Sequence, residues 1–381
     1  MSLAELKSFA REGHDENTRV QPKWQTLVRR LSAELMQGNY QPGEILPSEN
    51  HLAKTTGFAR STVRQAFAQL EKEGFIKRVQ GKGTIVSSRK QNSYNGQKLE
   101  MFGLIMPGIR RTLYLSLIKG FDRGATQDHH QVMICNTDNS VDKQGNIILQ
   151  LLDKGVVGVS LVPTTRVATP LQHIRYLQSN HIPVVFCHRP VEGVDAPCIT
   201  WDGREVGRIA GKALAAAGHR DILYFGVYRY RLSQAHEYGL RHVLEAEGLT
   251  LPAHRVLYGP PPDEDEEGDQ KEAMLRDALA QPDRPTAILC SDDTEAERAY
   301  WVAMELGLRV PEDLSIVGFG DIHRDTIFRK QLTSVVVDEL ELGHRAARLL
   351  RDMSAGEKPI EHSETHFMEL QLHRGRTLAE R

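Results

Sequence analysis

The 381-residue chain lacks most of what would mark a membrane, secreted or metal-dependent protein. No apolar run approaches the ~20 residues of a transmembrane helix. The opening stretch, MSLAELKSFAREGHDENT, has no apolar core of the kind a signal peptide needs, so the chain is expected in the cytoplasm. The four cysteines, Cys135, Cys187, Cys198 and Cys290, lie in or beside apolar runs and share no CxxC spacing. Buried free thiols fit that pattern better than disulfides or zinc ligands. His129-His130 has no metal-ligand partner at useful spacing, and Gly81–Thr84 (GKGT) lacks the rest of a phosphate loop. The acidic run at Gly259–Asp269 reads as a solvated loop. No metal and no cofactor are expected.

What remains is an ordinary globular composition, 40% hydrophobic and 26% charged, in a chain long enough for two or three folding units. The net charge of −2 hides an asymmetry: the first 90 residues carry 15 Lys and Arg against 9 Asp and Glu, +6, which leaves −8 on the rest. A basic module on an acidic body suits a nucleic-acid reader whose larger part stays off the nucleic acid.

The basic module centres on Pro47–Thr84, PSENHLAKTTGFARSTVRQAFAQLEKEGFIKRVQGKGT. Ser48 can cap a short helix by accepting a backbone N–H, and Glu49 suits the positive end of its dipole. Thr56-Gly57 breaks that helix. A second runs from about Arg60 to Glu73, with Val63, Ala66, Phe67 and Leu70 at i, i+3, i+4 and i+7 forming one apolar stripe. Gly74 stands where a C-cap needs positive φ. The opposite face carries Arg60, Thr62, Arg64, Gln65 and Gln69, the polar and cationic face that a major groove requires. Two β-prone runs follow, Phe75–Val79 and Thr84–Val86, joined by Gln80-Gly81-Lys82-Gly83. Lys82 at that tip can reach phosphates or a minor groove.

At these residues the chain resembles the GntR family of winged helix-turn-helix repressors, over about Pro22–Ser87 and through LPSENHLA, ARSTVRQAFAQLEKEG and GKGTIV. The resemblance implies a DNA surface of Ser48, Glu49, Arg60, Ser61, Thr62, Arg64 and Gln65, with Gln80, Gly81, Lys82 and Gly83 from the wing. Ala59 stands where the family usually has Ser or Thr, and Asn50 where it often has Arg.

The preceding helix, Lys23–Gln37, puts Trp24, Leu27, Val28, Leu31 and Leu35 on one face. Residues 1–21 read as a flexible arm, 22–87 as the DNA-binding domain and 88–99 as a polar linker. From Glu100 onward, short apolar runs alternate with amphipathic stretches, the pattern of βα units in doubly wound parallel sheets. Two sheets are expected, with Arg189–Asp202 as the crossing between them, helix Glu341–Met353 behind strand Thr333–Val337, and His366–Leu372 as one last strand. Residues 100–374 would form a two-lobed effector and dimerisation domain, and 375–381 a tail.

This part resembles the LacI family effector core, a periplasmic-binding-protein fold. The carrying motifs are IMP (Ile105–Pro107), FCHRP (Phe186–Pro190), AGHRDILYFG (Ala217–Gly226), CSDD (Cys290–Asp293), VPEDLSIVGFGD (Val310–Asp321) and LTSV (Leu332–Val335). The fold class implied is an N-terminal winged helix-turn-helix, mainly α with a β wing, joined to an α/β two-lobed periplasmic-binding-protein-like domain. The resemblance implies a cleft lined by Tyr114, Asp138, Arg189, Asp202, His236, Asp292 and Asp321, a set suited to a polyhydroxylated ligand. His236 falls where sugar-binding relatives commonly place Arg, Asp292 replaces the usual Asn, and Gly320 replaces an Asp.

The function expected is a ligand-responsive transcriptional repressor. It would bind a palindromic double-stranded operator as a homodimer and take a carbohydrate-like effector between its lobes. The alternative is a GntR-type fusion with an enzymatic, aminotransferase-like domain, for which no cofactor-lysine signature is found in the sequence.

Overall fold

The structure, a computed structural model, describes residues 22–36, 40–41, 43–72, 75–87, 93–94, 97–98, 100–108, 112–261, 268–324 and 326–381. The arm at 1–21, the Gly74 cap, most of the 88–99 linker and the acidic run at 262–267 therefore lie outside the described residues. The chain divides into two compact units, residues up to 99 and residues 100–381.

The first unit holds α1 (Lys23–Met36), α2 (Glu49–Thr56) and α3 (Arg60–Lys72), then β1 (Ile76–Val79) paired antiparallel with β2 (Gly83–Val86). Leu27 and Leu31 of α1, Leu52 of α2, and Val63, Ala66, Phe67 and Leu70 of α3 close on Ile76 and Val86 in one apolar core. The loop before α2 adds a third strand-like edge: Ile45 bridges Ile85, and the Leu46 N–H donates to the Thr84 carbonyl at 2.8 Å. Within the expected linker, β3 (Ser93–Tyr94) pairs with β4 (Gln97–Lys98) as a two-residue hairpin ladder that sequence periodicity is too short to register.

The second unit is built from two six-stranded sheets. The first contains β5 (Met101–Met106), β6 (Gln131–Asn136), β7 (Gly158–Leu161), β8 (Val184–Cys187), β9 (Cys198–Thr200) and β15 (Thr365–Phe367), in the order β15-β9-β8-β7-β5-β6 and all parallel. The second contains β10 (Ile222–Gly226), β11 (Val256–Tyr258), β12 (Ala287–Cys290), β13 (Ser315–Asp321), β14 (Thr333–Val337) and β16 (Leu370–His373), in the order β11-β10-β12-β13-β14-β16 with only β16 antiparallel. Central strands covered on both faces read as unbroken apolar runs, and every residue of ILYFG in β10 is buried.

The chain passes between the lobes three times, not once. Arg189–Pro197 stays in the first lobe because β9 pairs with β8 there, so the first passage is at Trp201-Asp202, just beyond β9. The second lies between β14 and α12 (Glu339–Ser354), which packs on the first lobe against α4 (Thr112–Gln127) rather than behind β14. The third splits the expected last strand, since β15 belongs to one sheet and β16 to the other. β11 gave no separate signal in the sequence. The final residues are part of the second lobe: Thr377 is buried, its Oγ1 donates to the Ile316 carbonyl at 2.6 Å, and the Ile316 N–H donates to the Thr377 carbonyl at 2.7 Å.

Glycines bring a helix pair in each lobe into backbone contact. A Cβ on Gly120 of α4 would lie 1.9 Å from the Leu340 carbonyl oxygen, and one on Gly343 of α12 would lie 2.1 Å from that of Leu117. In the second lobe α7 (Gly203–Ala216) meets α8 (Arg231–Ala246) in the same way. There a Gly207 Cβ would fall 1.9 Å from the His236 carbonyl oxygen, and a Gly239 Cβ 2.0 Å from that of Arg204.

Candidate functional site

Two surfaces carry the chemistry. In the first unit, α2, a tight turn and α3 form the helix-turn-helix. Ser48 Oγ accepts the His51 N–H at 3.2 Å, and Gly57 ends α2 at φ 71°. On α3, Arg60, Ser61, Arg64 and Gln65 are exposed and Thr62 half-buried, opposite the buried stripe. Gln80, Gly81, Lys82 and Gly83 form an exposed wing tip, with Gly81 at φ 79° and Gly83 at φ 95°. Glu49 is half-buried and pairs with Arg78 of β1. Ser48 and Glu49 therefore have roles inside the head, as cap and as brace. The remaining predicted residues share one exposed face and the wing.

In the second unit, a cleft between the lobes is lined by Tyr114, His188, Arg189, Trp201, Tyr230, Leu232, His236, Ser291, Asp292 and Phe319. Four of the seven residues predicted from sequence lie here: Tyr114, Arg189, His236 and Asp292. The other three do not. Asp138, at φ 49°, accepts hydrogen bonds from Asn136 and from Lys143 Nζ at the exposed end of β6. Asp202 caps α7 by accepting the Arg204 N–H at 2.8 Å. Asp321 ends β13 and accepts the Glu339 N–H at 3.3 Å; burial pushes its carboxyl up. These aspartates terminate strands or begin helices; the carboxylates of Asp138 and Asp202 are engaged by neighbouring groups, whereas Asp321 Oδ2 is buried with no well-aligned partner among the described residues.

The cleft follows the rule for open α/β sheets, with its residues at the carboxyl ends of strands. Arg189 follows β8 by two residues, and its guanidinium donates from Nε to the Pro163 carbonyl at 2.8 Å and also from Nη2. Asp292 caps α10 (Asp293–Glu305), its Oδ1 accepting the Thr294 N–H at 3.0 Å and the Glu295 N–H at 2.9 Å. His236 is 2% exposed and packs edge-on to Phe319 at 5.1 Å. Among the described residues, neither of its ring nitrogens has a well-aligned hydrogen-bond partner. Burial drives its imidazole down to about 4, partly offset by Asp292 and by the Ser291 backbone. Trp201, 3% exposed, likewise has no partner for Nε1 among the described residues. Buried polar atoms left unmatched are costly, and a ligand in the cleft can satisfy them.

Sequence reasoning missed His188, Trp201, Tyr230, Leu232, Ser291 and Phe319. A signal for His188 and Trp201 was available, because each stands directly after a strand end, at FCHRP and at CITW. Behind the cleft, Asp293 is buried, with Oδ2 2.8 Å from Arg324 Nη1 and Oδ1 accepting from Ser334 Oγ at 2.7 Å. A Cβ on Gly320 would lie 2.1 Å from Asp293 Oδ2, so the glycine found in place of the family's Asp makes room for this carboxylate.

Comparison with known proteins finds a family model matching part of each unit. Residues 23–86 match the gntR family of bacterial regulatory proteins, and residues 212–378 match the periplasmic binding protein-like domain. An arabinose metabolism transcriptional repressor of Geobacillus stearothermophilus is 27% identical over 87% of this chain and 91% of its own length. Catabolite control protein A of Priestia megaterium is 27% identical over 67% of this chain and 75% of its own. A LacI family regulator from Enterococcus faecium, solved with bound ribose, superposes with a TM-score of 0.62 at 19% identity, over 74% of this chain and all (100%) of that one. At that identity the likeness speaks for the fold alone.

Proposed function

Starting from a gntR-family winged helix joined to a periplasmic-binding-protein-like core, we propose that the chain is a ligand-responsive transcriptional repressor. α3 would enter the major groove of each half of a palindromic operator, the wing would contact phosphates, and the working form would be a homodimer in the cytoplasm. A small polyhydroxylated molecule, a sugar or sugar derivative, would bind between the lobes and change operator affinity by favouring one lobe arrangement over another. The observation that carries this reading is the pair of buried, unmatched polar side chains, Trp201 and His236, facing an aromatic cleft that also presents Arg189 and Asp292. The relative named as a transcriptional repressor supports a regulator over the enzymatic alternative.

The test is a thermal-shift series with L-arabinose, D-ribose, D-xylose, D-galactose and their phosphates, followed by operator titration with and without whichever compound stabilises the chain. Arg189→Ala should lose the ligand response and keep ligand-free operator binding. A variant that still responds at the wild-type ligand concentration removes Arg189 from the effector site. An absorbance band of bound pyridoxal phosphate in the purified protein would favour the enzymatic reading.

A further inference from the structure

His188 occupies an unusual position. It follows β8 directly, is 3% exposed, and holds a left-handed backbone at φ 68° without being glycine. Such a conformation persists only where the surroundings impose it. Here the His188 N–H donates to the Ile199 carbonyl at 2.9 Å, and Thr200 Oγ1 donates to the His188 carbonyl at 2.5 Å. The ring is thereby placed in the cleft wall, stacked on Tyr114 at 5.4 Å between centroids and edge-on to Trp201 at 4.8 Å. Its Nε2 lies 2.9 Å from Glu339 Oε2.

Glu339 does not line the cleft. It is the first residue of α12 and is fully buried, at the point where the chain leaves β14 in one lobe for the helix packed on the other. Its N–H is held by Asp321 of the second lobe, its carboxylate by His188 of the first. Burial pushes the Glu339 carboxyl up and His188 draws it back, while Asp321 and Asp338 oppose its charge. Its Oε1 has no partner among the described residues, so the hydrogen bond to His188 is what holds the group.

We propose that Glu339 is a positioning residue for the effector cleft: it fixes the His188 ring through Nε2 and transmits displacement of that ring to the lobe passage on which Glu339 itself sits. The proposal rests on reading the cleft as an effector site. An effector that moves the His188 ring would act through one hydrogen bond on a segment shared by both lobes, which is the differential contact a two-state switch needs.

The experiment uses the ligand-free full-length chain, so its outcome does not depend on which effector, if any, is found. Hydrogen exchange is compared for wild type, His188→Gln, Glu339→Gln and the double variant. Each single variant should raise exchange of the Glu339–Leu342 amides at least tenfold while Ile288 and Leu289 in β12 keep wild-type protection. The double variant should go no further than the larger single effect. In a Trp24→Phe/Trp301→Phe background, Glu339→Gln should also shift the emission of Trp201, whose ring packs edge-on to His188. A uniform rise in exchange, additive effects, or unchanged Trp201 emission overturns the proposal.

Discussion

Arg78 Nη2 in the wing lies 3.0 Å from Glu49 Oε1 at the first turn of α2. The same arginine reaches α3, with Nη1 3.4 Å from Glu71 Oε2 and its backbone N–H donating to Glu71 Oε1 at 2.9 Å. One side chain thus braces both helices of the helix-turn-helix against the wing. The side chains remain 38% and 24% exposed for Arg78 and Glu49, so solvent screening keeps the pair modest. A double-mutant cycle of Glu49→Ala and Arg78→Ala, read by urea unfolding of the head, should give a coupling of about 0.2–1 kcal/mol. Zero coupling would free Glu49 from its bracing role and return it to the DNA face.

The exposed cations of α3 and the wing should divide into base readers and phosphate contacts. Arg60→Ala or Arg64→Ala should weaken operator binding by about 1–3 kcal/mol where the side chain meets a base edge, with circular dichroism unchanged because both lie off the buried stripe. Lys82→Ala should weaken binding evenly across sequences and reduce the salt slope by about one unit. Wild-type affinity in both arginine variants would place the recognition face elsewhere.

The head was legible because capping, apolar spacing and turn residues agree on one answer. Ser48, the Val63–Leu70 stripe and Gly81 each behave as local chemistry dictates. The effector core was legible as alternating elements but not as a path. Nothing local tells α12 to pack on α4, since that choice is made by the reciprocal approach of Gly120 to Leu340 and of Gly343 to Leu117 across more than two hundred residues of sequence. The same limit applied to the site. An aspartate at a strand end looks alike whether it faces a ligand or caps the next helix, and Asp138 and Asp202 proved to be held within their own turns.

Gly320 gives a direct test of the buried charge behind the cleft. Any side chain there meets the Asp293 carboxylate, which is held by Arg324 and Ser334. Gly320→Ala should therefore destabilise the core by about 1–3 kcal/mol through overpacking. Asp293→Asn in the same background should recover little, because it leaves the Arg324 guanidinium buried without its charge partner. Full stability of Gly320→Ala would mean that Asp293 yields easily and that the glycine is not required for the ion pair.

His236 should make the effector core sensitive to acid. Its imidazole is held down at about 4 by burial, against the ordinary value of 6.5 that it regains when unfolded. Between those values the unfolded chain takes up a proton that the folded one refuses, so stability rises with pH across this window. The contribution is complete above about pH 6.5 and lost as pH falls toward 4. From these two values, about 2 kcal/mol should disappear between pH 7 and pH 5. His219 is also pushed down by burial and adds to the loss in the same direction, so total acid sensitivity alone does not isolate His236. The comparison is urea unfolding at pH 7 and pH 5, followed through Trp201 emission, for wild type and His236→Gln in the Trp24→Phe/Trp301→Phe background. The variant should lose about 2 kcal/mol less than wild type over that interval, because glutamine takes up no proton in this range. Equal losses in both would mean that His236 protonates in the folded cleft as readily as in the unfolded chain. Its ring nitrogens would then be matched by solvent rather than held in reserve for a ligand.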